Sequence, residues 1–337
     1  MLIRIIDIGS NSIKSSVYDV ESQSHKLVAK DKLQFSLGEE VFSLGSVSED
    51  AQEKVADFIK GLPESQAGGK IHFTFALATS AVRSARNRDA FARKLQQRTG
   101  LPVRVLTGEE ESFLIHMGIA SKAGISDKDE LKTIDIGGGS AEISWGRGLT
   151  YLGGHSFDLG AIRLSKRFLK AKTMTRDSIS QIHDFAVAEF RSKVAARPMP
   201  EAERAIGSSG NIRALAKMVA CVRGLPFIKM VPEITPGSLE DVIEVCIGKA
   251  PQHLQSLFDI HAERSRIIMP AVVVLMAAMR FFGIPRLEVS EAGLREGAIH
   301  FWSRNGHFNL PVEPAPEPVT AAAAAASEGR TPPEGRP

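Results

Sequence analysis

Cysteine is nearly absent. Cys221 and Cys246 are the only two in 337 residues, and neither sits in a CxxC pair. That excludes a disulfide scaffold and a thiolate zinc site, and it fits a reducing compartment. A long apolar run is also missing. The most hydrophobic stretch, IIMPAVVVLMAAM at 267–279, contains Pro270 and is flanked by Arg266 and Arg280. It falls short of the ~20 residues that a bilayer span needs, and it predicts a buried core helix. The opening MLIRIIDIG carries an acid at position 7, so it does not read as a signal peptide. A strong excess of one charge is absent as well. The net charge of +3 is too small for a dedicated nucleic-acid binder. Neither a Walker-type phosphate loop nor the GxGxxG fingerprint occurs. The expectation is a soluble cytoplasmic protein with no membrane and no nucleic-acid partner.

What is present suits a two-domain globular body. Hydrophobic residues make up 43%, enough for two packed cores in a chain of this length. Residues 311–337 are different: Pro, Ala, Glu and Gly dominate, so a disordered tail is expected. That tail holds four Glu and two Arg, which leaves the body at about +5 and suited to a polyanion.

The body contains an internal repeat. IDIGSNSIKSS (6–16) aligns with IDIGGGSAEIS (134–144) at an offset of 128. ALATSA (76–81) aligns with AIGSSG (205–210) at an offset of 129. Two motif pairs at nearly one offset predict two related domains in tandem. The boundaries are set at 1–122 and 123–310, with the last helix free to pack back on the first domain.

Each half reads as a hairpin, a further strand, a helix, a strand and a helix. LIRIIDI and IKSSVYDV flank a tight turn, as do TIDI and AEISW. Helical spacing predicts helices over AQEKVADFIKGL, SARNRDAFARKLQQRTG (84–100) and GEEESFLIHMGIASKAG. Strands alternating with helices give an α/β class with mixed sheets under helical cover.

The chemistry gathers at four small-residue turns: Gly9, Ser10, Asn11 and Ser12; the ATSA segment; Gly138, Gly139 and Ser140; and Ser208 and Ser209. Backbone N–H groups in such turns form anion nests, and small side chains let a phosphate approach. Four of them, duplicated in register, point to a phosphate-rich ligand. Asp7 and Asp135 end strands beside these turns, and Glu142 lies two residues past Ser140. Carboxylates next to a phosphate nest repel the ligand unless a cation such as Mg²⁺ stands between them. The run Glu109, Glu110, Glu111 admits two readings: a helix N-terminus enriched in acids, or a general base that activates water. The cations Arg86, Arg88, Arg93, Lys94 and Arg98 also admit two, a solvated helix face or a polyanion track.

Seven stretches together carry a resemblance: IDIGSNS, LATSAVRSARN, VLTGEEES, IDIGGGSAE, DLGAIRL, GSSGNI and VSEAGLREG, in that order from residue 3 to about 300. The chain resembles the exopolyphosphatase / guanosine pentaphosphate phosphohydrolase family. That resemblance implies two actin-like, ribonuclease H-like domains with the active site in the cleft between them. It implies metal-dependent hydrolysis of a terminal phosphoanhydride in inorganic polyphosphate, or alternatively in pppGpp, with Mg²⁺ or Mn²⁺. Glu111 falls on the family's general base, Asp135 and Glu142 on its metal carboxylates with Asp7 beside them, and Arg83 on a phosphate clamp. A homodimer is compatible with the likeness. The chain departs from the family at GSSGN, where GASGT is common, and at Glu291, where Asp is common.

Overall fold

The computed structural model describes residues 1–312 except 23, 67, 123, 170–172, 196 and 226–232. The predicted tail beyond Val312 lies outside the described residues. The first half is built on a six-stranded sheet. Three strands run antiparallel: β1 (Leu2–Ile8), β2 (Ile13–Glu21) and β3 (Ser24–Leu33). Helices α1 (Leu37–Leu44) and α2 (Glu49–Lys60) follow. Ser36 and Ser48 accept the orphan N–H groups at their first turns. The short β4 (Ser65–Gln66) hands over to β5 (Gly69–Ala78), which runs parallel to β1. Then come α3 (Ser80–Ser84), α4 (Arg88–Thr99), β6 (Val103–Val105) parallel to β5, and α5 (Gly108–Lys122).

The second half repeats the plan. β7 (Glu130–Ile136), β8 (Ala141–Arg147) and β9 (Thr150–Phe157) are antiparallel. Helices α6 (Ala161–Phe168) and α7 (Arg176–Val194) follow, and β10 (Arg204–Ser208) returns parallel to β7. The remainder is α8 (Ser209–Val222), β11 (Glu233–Ile234), α9 (Pro236–Cys246), α10 (Pro251–Phe258), α11 (Ala262–Ser265), α12 (Ile268–Phe281), β12 (Leu287–Val289) and α13 (Leu294–Asn305). Sheet order is β3-β2-β1-β5 with β6 beyond, and β9-β8-β7-β10-β12. Each half therefore has a three-stranded meander followed by two parallel strands, and the motif repeat is a repeat of fold.

β1 and β7 sit mid-sheet under helices on both faces, so LIRIIDI and LKTIDI are almost wholly buried. The core helix predicted over 267–279 is α12, buried from Ile268 to Met279. No helix among the described residues is long and apolar enough to cross a membrane. One helix boundary differs from the expectation. The stretch 84–100 does not form one helix, because Ala85 is extended and α4 starts only at Arg88.

Two helices cross between the halves. α5 lies against the second sheet, where His116 Nδ1 meets Ser144 Oγ at 2.9 Å. α13 lies against the first sheet, where Tyr18 donates its hydroxyl to Glu296 Oε1 at 3.0 Å. Phe113, Leu114 and Met117 of α5 share one core with Ile3, Ile5 and Tyr18 and with Ile299, Phe301 and Trp302 of α13. The crossing is close because Gly118 and Gly297 lack side chains. A Cβ on Gly297 would stand 1.7 Å from the Leu114 carbonyl oxygen, and one on Gly118 would stand 2.1 Å from that of Gly293.

Candidate active site

Each of the four turns closes a strand on the same edge of its sheet. In the first, Gly9 N–H donates to Ser12 O at 3.3 Å; in the third, Gly137 N–H donates to Ser140 O at 2.9 Å. Asp7 stands opposite Lys14 across the first hairpin, and Asp135 opposite Glu142 across the second. Thr79 and Ser80 follow β5, which lies beside β1. Ser208 and Ser209 follow β10, which lies beside β7.

All four turns open into one cleft. Gly9, Ser10, Asn11, Ser12, Gly138, Gly139, Ser140, Ser208 and Ser209 line it, together with Asp7, Asp135 and Glu111. Glu142 and Arg83 do not line it. Glu142 is buried behind the wall, where Ser156 Oγ donates to its Oε1 at 2.7 Å. Arg83 is turned to the acid beside the cleft rather than to the cleft itself. Its Nη1 donates to Glu111 Oε2 at 2.7 Å and to Leu106 O at 3.0 Å.

The acidic run resolves residue by residue. Glu110 is a cap: its Oε2 accepts from Thr107 N–H at 2.8 Å, while Thr107 Oγ1 accepts from Glu110 N–H at 3.1 Å. Glu109 pairs with Arg197 at 2.8 Å. Glu111 alone of the three points into the cleft. Burial pushes its carboxyl up, and Arg83 opposes that shift without cancelling it.

The glycine triplet has a second use besides admitting a phosphate. None of Gly137, Gly138 and Gly139 has a positive φ. What matters is the missing side chain. A Cβ on Gly139 would lie 2.6 Å from Ser10 Oγ, Ser80 Oγ and the Phe42 ring, all in the other half. The turn is bare where the two halves meet. Ser209 is the strained residue, with φ +98°, a left-handed value that favours glycine.

Burial and Glu111 push the Asp135 carboxyl up to about 7. Burial and Glu111 also raise Glu142 well above the ordinary carboxylate range. This repulsion among buried oxygens is what a hard cation relieves. Among the described residues no three His, Cys, Asp or Glu side chains converge to enclose a metal. The set fits an ion held by one or two carboxylates, as Mg²⁺ commonly is, with phosphate and water completing its shell. It does not fit an all-protein cage of Asp7, Asp135 and Glu142.

The sequence profile of the Ppx/GppA phosphatase family matches residues 16–305. The chain belongs to that family. Exopolyphosphatase 1 of Mycobacterium tuberculosis is 26% identical over 301 residues, 89% of this chain and 87% of that protein. Exopolyphosphatase 1 of Mycobacterium leprae is also 26% identical over 301 residues, covering 89% and 88%. Among solved structures, an exopolyphosphatase from Cytophaga hutchinsonii superposes with a TM-score of 0.77 at 21% identity, covering 91% of this chain and 98% of that one. The Ppx/GppA family member from Aquifex aeolicus gives a TM-score of 0.73 at 23% identity, covering 89% and 97%. The fold is therefore the two-domain, actin-like fold expected from the motifs.

Four cations of this Ppx/GppA chain line the cleft without having been singled out from the sequence: Lys14, Arg213, Arg264 and Arg295. Lys14 had a local signal, two residues past Ser12. Arg295 lies inside the GLREG motif. Arg264 had none; it reaches the fourth turn from α11, where it bonds Asn211 Oδ1 and fills the space that a side chain on Gly210 would occupy. Burial and Arg213 push Arg264 down to about 10. The helix cations face elsewhere. Lys94 pairs with Glu49, Arg98 with Glu53 and Asp57, and Arg86 donates to Leu44 O. Lys94 and Arg98 thus tie α4 to α2, Arg86 ties the segment before α4 to the end of α1, and none of the five lines the cleft.

Proposed function

We propose that this protein is an exopolyphosphatase that removes the terminal phosphate of inorganic polyphosphate. The observation that carries the reading is Glu111. It is a buried carboxyl with raised basicity, at the edge of a cleft walled by small-residue turns and four cations. Phosphoryl transfer asks a protein mainly to position water and neutralise charge. A carboxyl held above its ordinary range is suited to take a proton from water near neutral pH. Arg83 fixes the orientation of that carboxyl through its bond to Oε2. The turns offer backbone N–H groups to the terminal phosphate, and Lys14, Arg213, Arg264 and Arg295 offer charge to the rest of the chain.

Exopolyphosphatases of this family are generally divalent-metal-dependent. Asp135, which lines the cleft with Asp7, would hold Mg²⁺ or Mn²⁺; Glu142, opposite Asp135 across the hairpin, would join it by turning from Ser156. When bound, the ion neutralises phosphate oxygens. The curated relatives are exopolyphosphatases, which favours polyphosphate over pppGpp as substrate. The test is phosphate release from tripolyphosphate, long-chain polyphosphate, pppGpp and ATP, with Mg²⁺, Mn²⁺ or EDTA. Metal-dependent release from the polyphosphates is expected. No release from them with either ion, or faster release from pppGpp, would overturn the reading.

A further inference from the structure

The motif DLGAIRL contributes no side chain to the cleft, yet one of its residues binds both halves of the molecule. Arg163 stands on α6, in the second half. Its Nε donates to the Gly139 carbonyl at 2.8 Å, on the glycine turn. Its Nη2 donates to Ser84 Oγ at 2.9 Å, at the end of α3 in the first half. The same guanidinium lies 4.3 Å from the centre of the Phe42 ring, on α1 in the first half. Asp158 Oδ1, 3.1 Å away, neutralises it from the second half.

Both ends of this bridge are anchored to phosphate turns. The start of α6 is bonded to the glycine turn, since Ala161 N–H donates to Gly137 O at 3.0 Å and Ile162 N–H to Gly138 O at 2.8 Å. The start of α1 is bonded to the first turn, since Gly38 N–H donates to Ser10 O at 2.8 Å. Ser84 ends the helix that begins at Ser80 and also carries Arg83, the partner of Glu111. A planar guanidinium with fixed donor directions can serve two acceptors and a ring face at once, which an ammonium cannot.

We infer that Arg163 is a positioning residue: it clasps the two halves together and sets the spacing between the glycine turn and the ATSAVR segment. Its side chain neither lines the cleft nor bonds Glu111. Its effect on turnover rests on the hydrolase reading above, while its effect as a clasp does not.

The experiment uses the full chain with Arg163→Ala, Arg163→Lys and, as a control, Lys166→Ala, which removes the exposed ion pair between Lys166 of α6 and Glu39 of α1. Two quantities are read. Hydrogen exchange without substrate reports on 137–140 and 80–86. Steady-state kinetics on tripolyphosphate separate kcat from KM. Arg163→Ala should speed exchange in both segments together and lower kcat roughly tenfold or more, with KM changed by less than about threefold. Arg163→Lys, which keeps one donor and the charge, should fall between it and the parent, and Lys166→Ala should match the parent. Faster exchange in only one segment, or kcat of Arg163→Ala within about twofold of the parent, would overturn the inference. If the parent hydrolyses no polyphosphate, the exchange result still decides whether the clasp exists.

Discussion

Gly297→Ala isolates the helix crossing from everything else in the molecule. On its own, alanine for glycine in a helix interior favours folding by about 1 kcal/mol. Here the new methyl would begin 1.7 Å from the Leu114 carbonyl oxygen and 2.9 Å from Gly118 N, both backbone atoms that cannot rotate away. Real Cβ contacts stop near 3.0 Å, so α5 and α13 must part by about 1.3 Å. A gap of 0.5–1 Å already forfeits about a quarter to a half of a dispersion contact. The core around Phe113, Leu114, Ile299 and Trp302 would therefore loosen. Overpacking of this kind costs about 1–3 kcal/mol, and rigid backbone on the receiving side puts it at the upper end. The net expectation is destabilisation of about 2 kcal/mol, with a lower Tm in circular-dichroism melts. Gly237→Ala is the matched control. That glycine also lies in a helix, at the start of α9, with a negative φ and nothing within 4 Å of the added Cβ. A Gly297→Ala variant as stable as the parent, or one no worse than Gly237→Ala, would refute the packing argument.

Two further outcomes are expected. Glu111→Gln keeps the shape of the side chain but loses the base, so it should retain polyphosphate binding and lose at least about a hundredfold in kcat; near-normal phosphate release would remove Glu111 from that role. His116 bears on stability against pH. Burial holds its imidazole neutral and pushes it from 6.5 down to about 4, against the backbone bond to Gly148. The unfolded chain binds that proton first, so the contribution is whole above pH 6.5 and is lost as the pH falls toward 4. Denaturant titrations at pH 7 and pH 4.5 should show the parent losing about 2–3 kcal/mol more than a His116→Asn variant. Equal losses would sink that assignment.

Local pattern carried the hairpins, the turns and the duplication, because strand–turn chemistry is written within a dozen residues. It placed a further strand after each hairpin but did not locate β3 in the first half. SHKLVAKDKL is an edge strand in which no residue is fully buried, so its alternation is blurred by Lys and Asp. Nor did it carry the break after Ser84, where Ala85 is a strong helix former and the interruption comes from Asn87, whose side chain is bonded to Val47 forty residues upstream. At the candidate site, the small residues were legible because they make the turns themselves, and Asp7, Asp135 and Glu142 because they stand within a few residues of them. The cations were less so. Arg264 and Arg295 arrive on α11 and α13 from far along the chain, and only the packing of those elements brings them to the turns. Arg83 was legible as a residue but not in its engagement, since its bond to Glu111 depends on how α3 and α5 meet.

The crossing of α5 and α13 also bears on how the protein must be made. Tyr18 and Glu296 are bonded across 278 positions of sequence, and Arg295 reaches Ser16 across 279. The sheet synthesised first thus waits for a helix synthesised near the end of the described chain before its apolar face is covered. Contacts of that span slow folding and leave hydrophobic surface open in the interval. Although the repeat suggests two self-sufficient units, neither would be complete if the chain were divided after Lys122. The first would lack the helix that roofs Ile3 and Ile5, and the second would lack the one that carries His116 to Ser144. The duplication has produced halves that mature together.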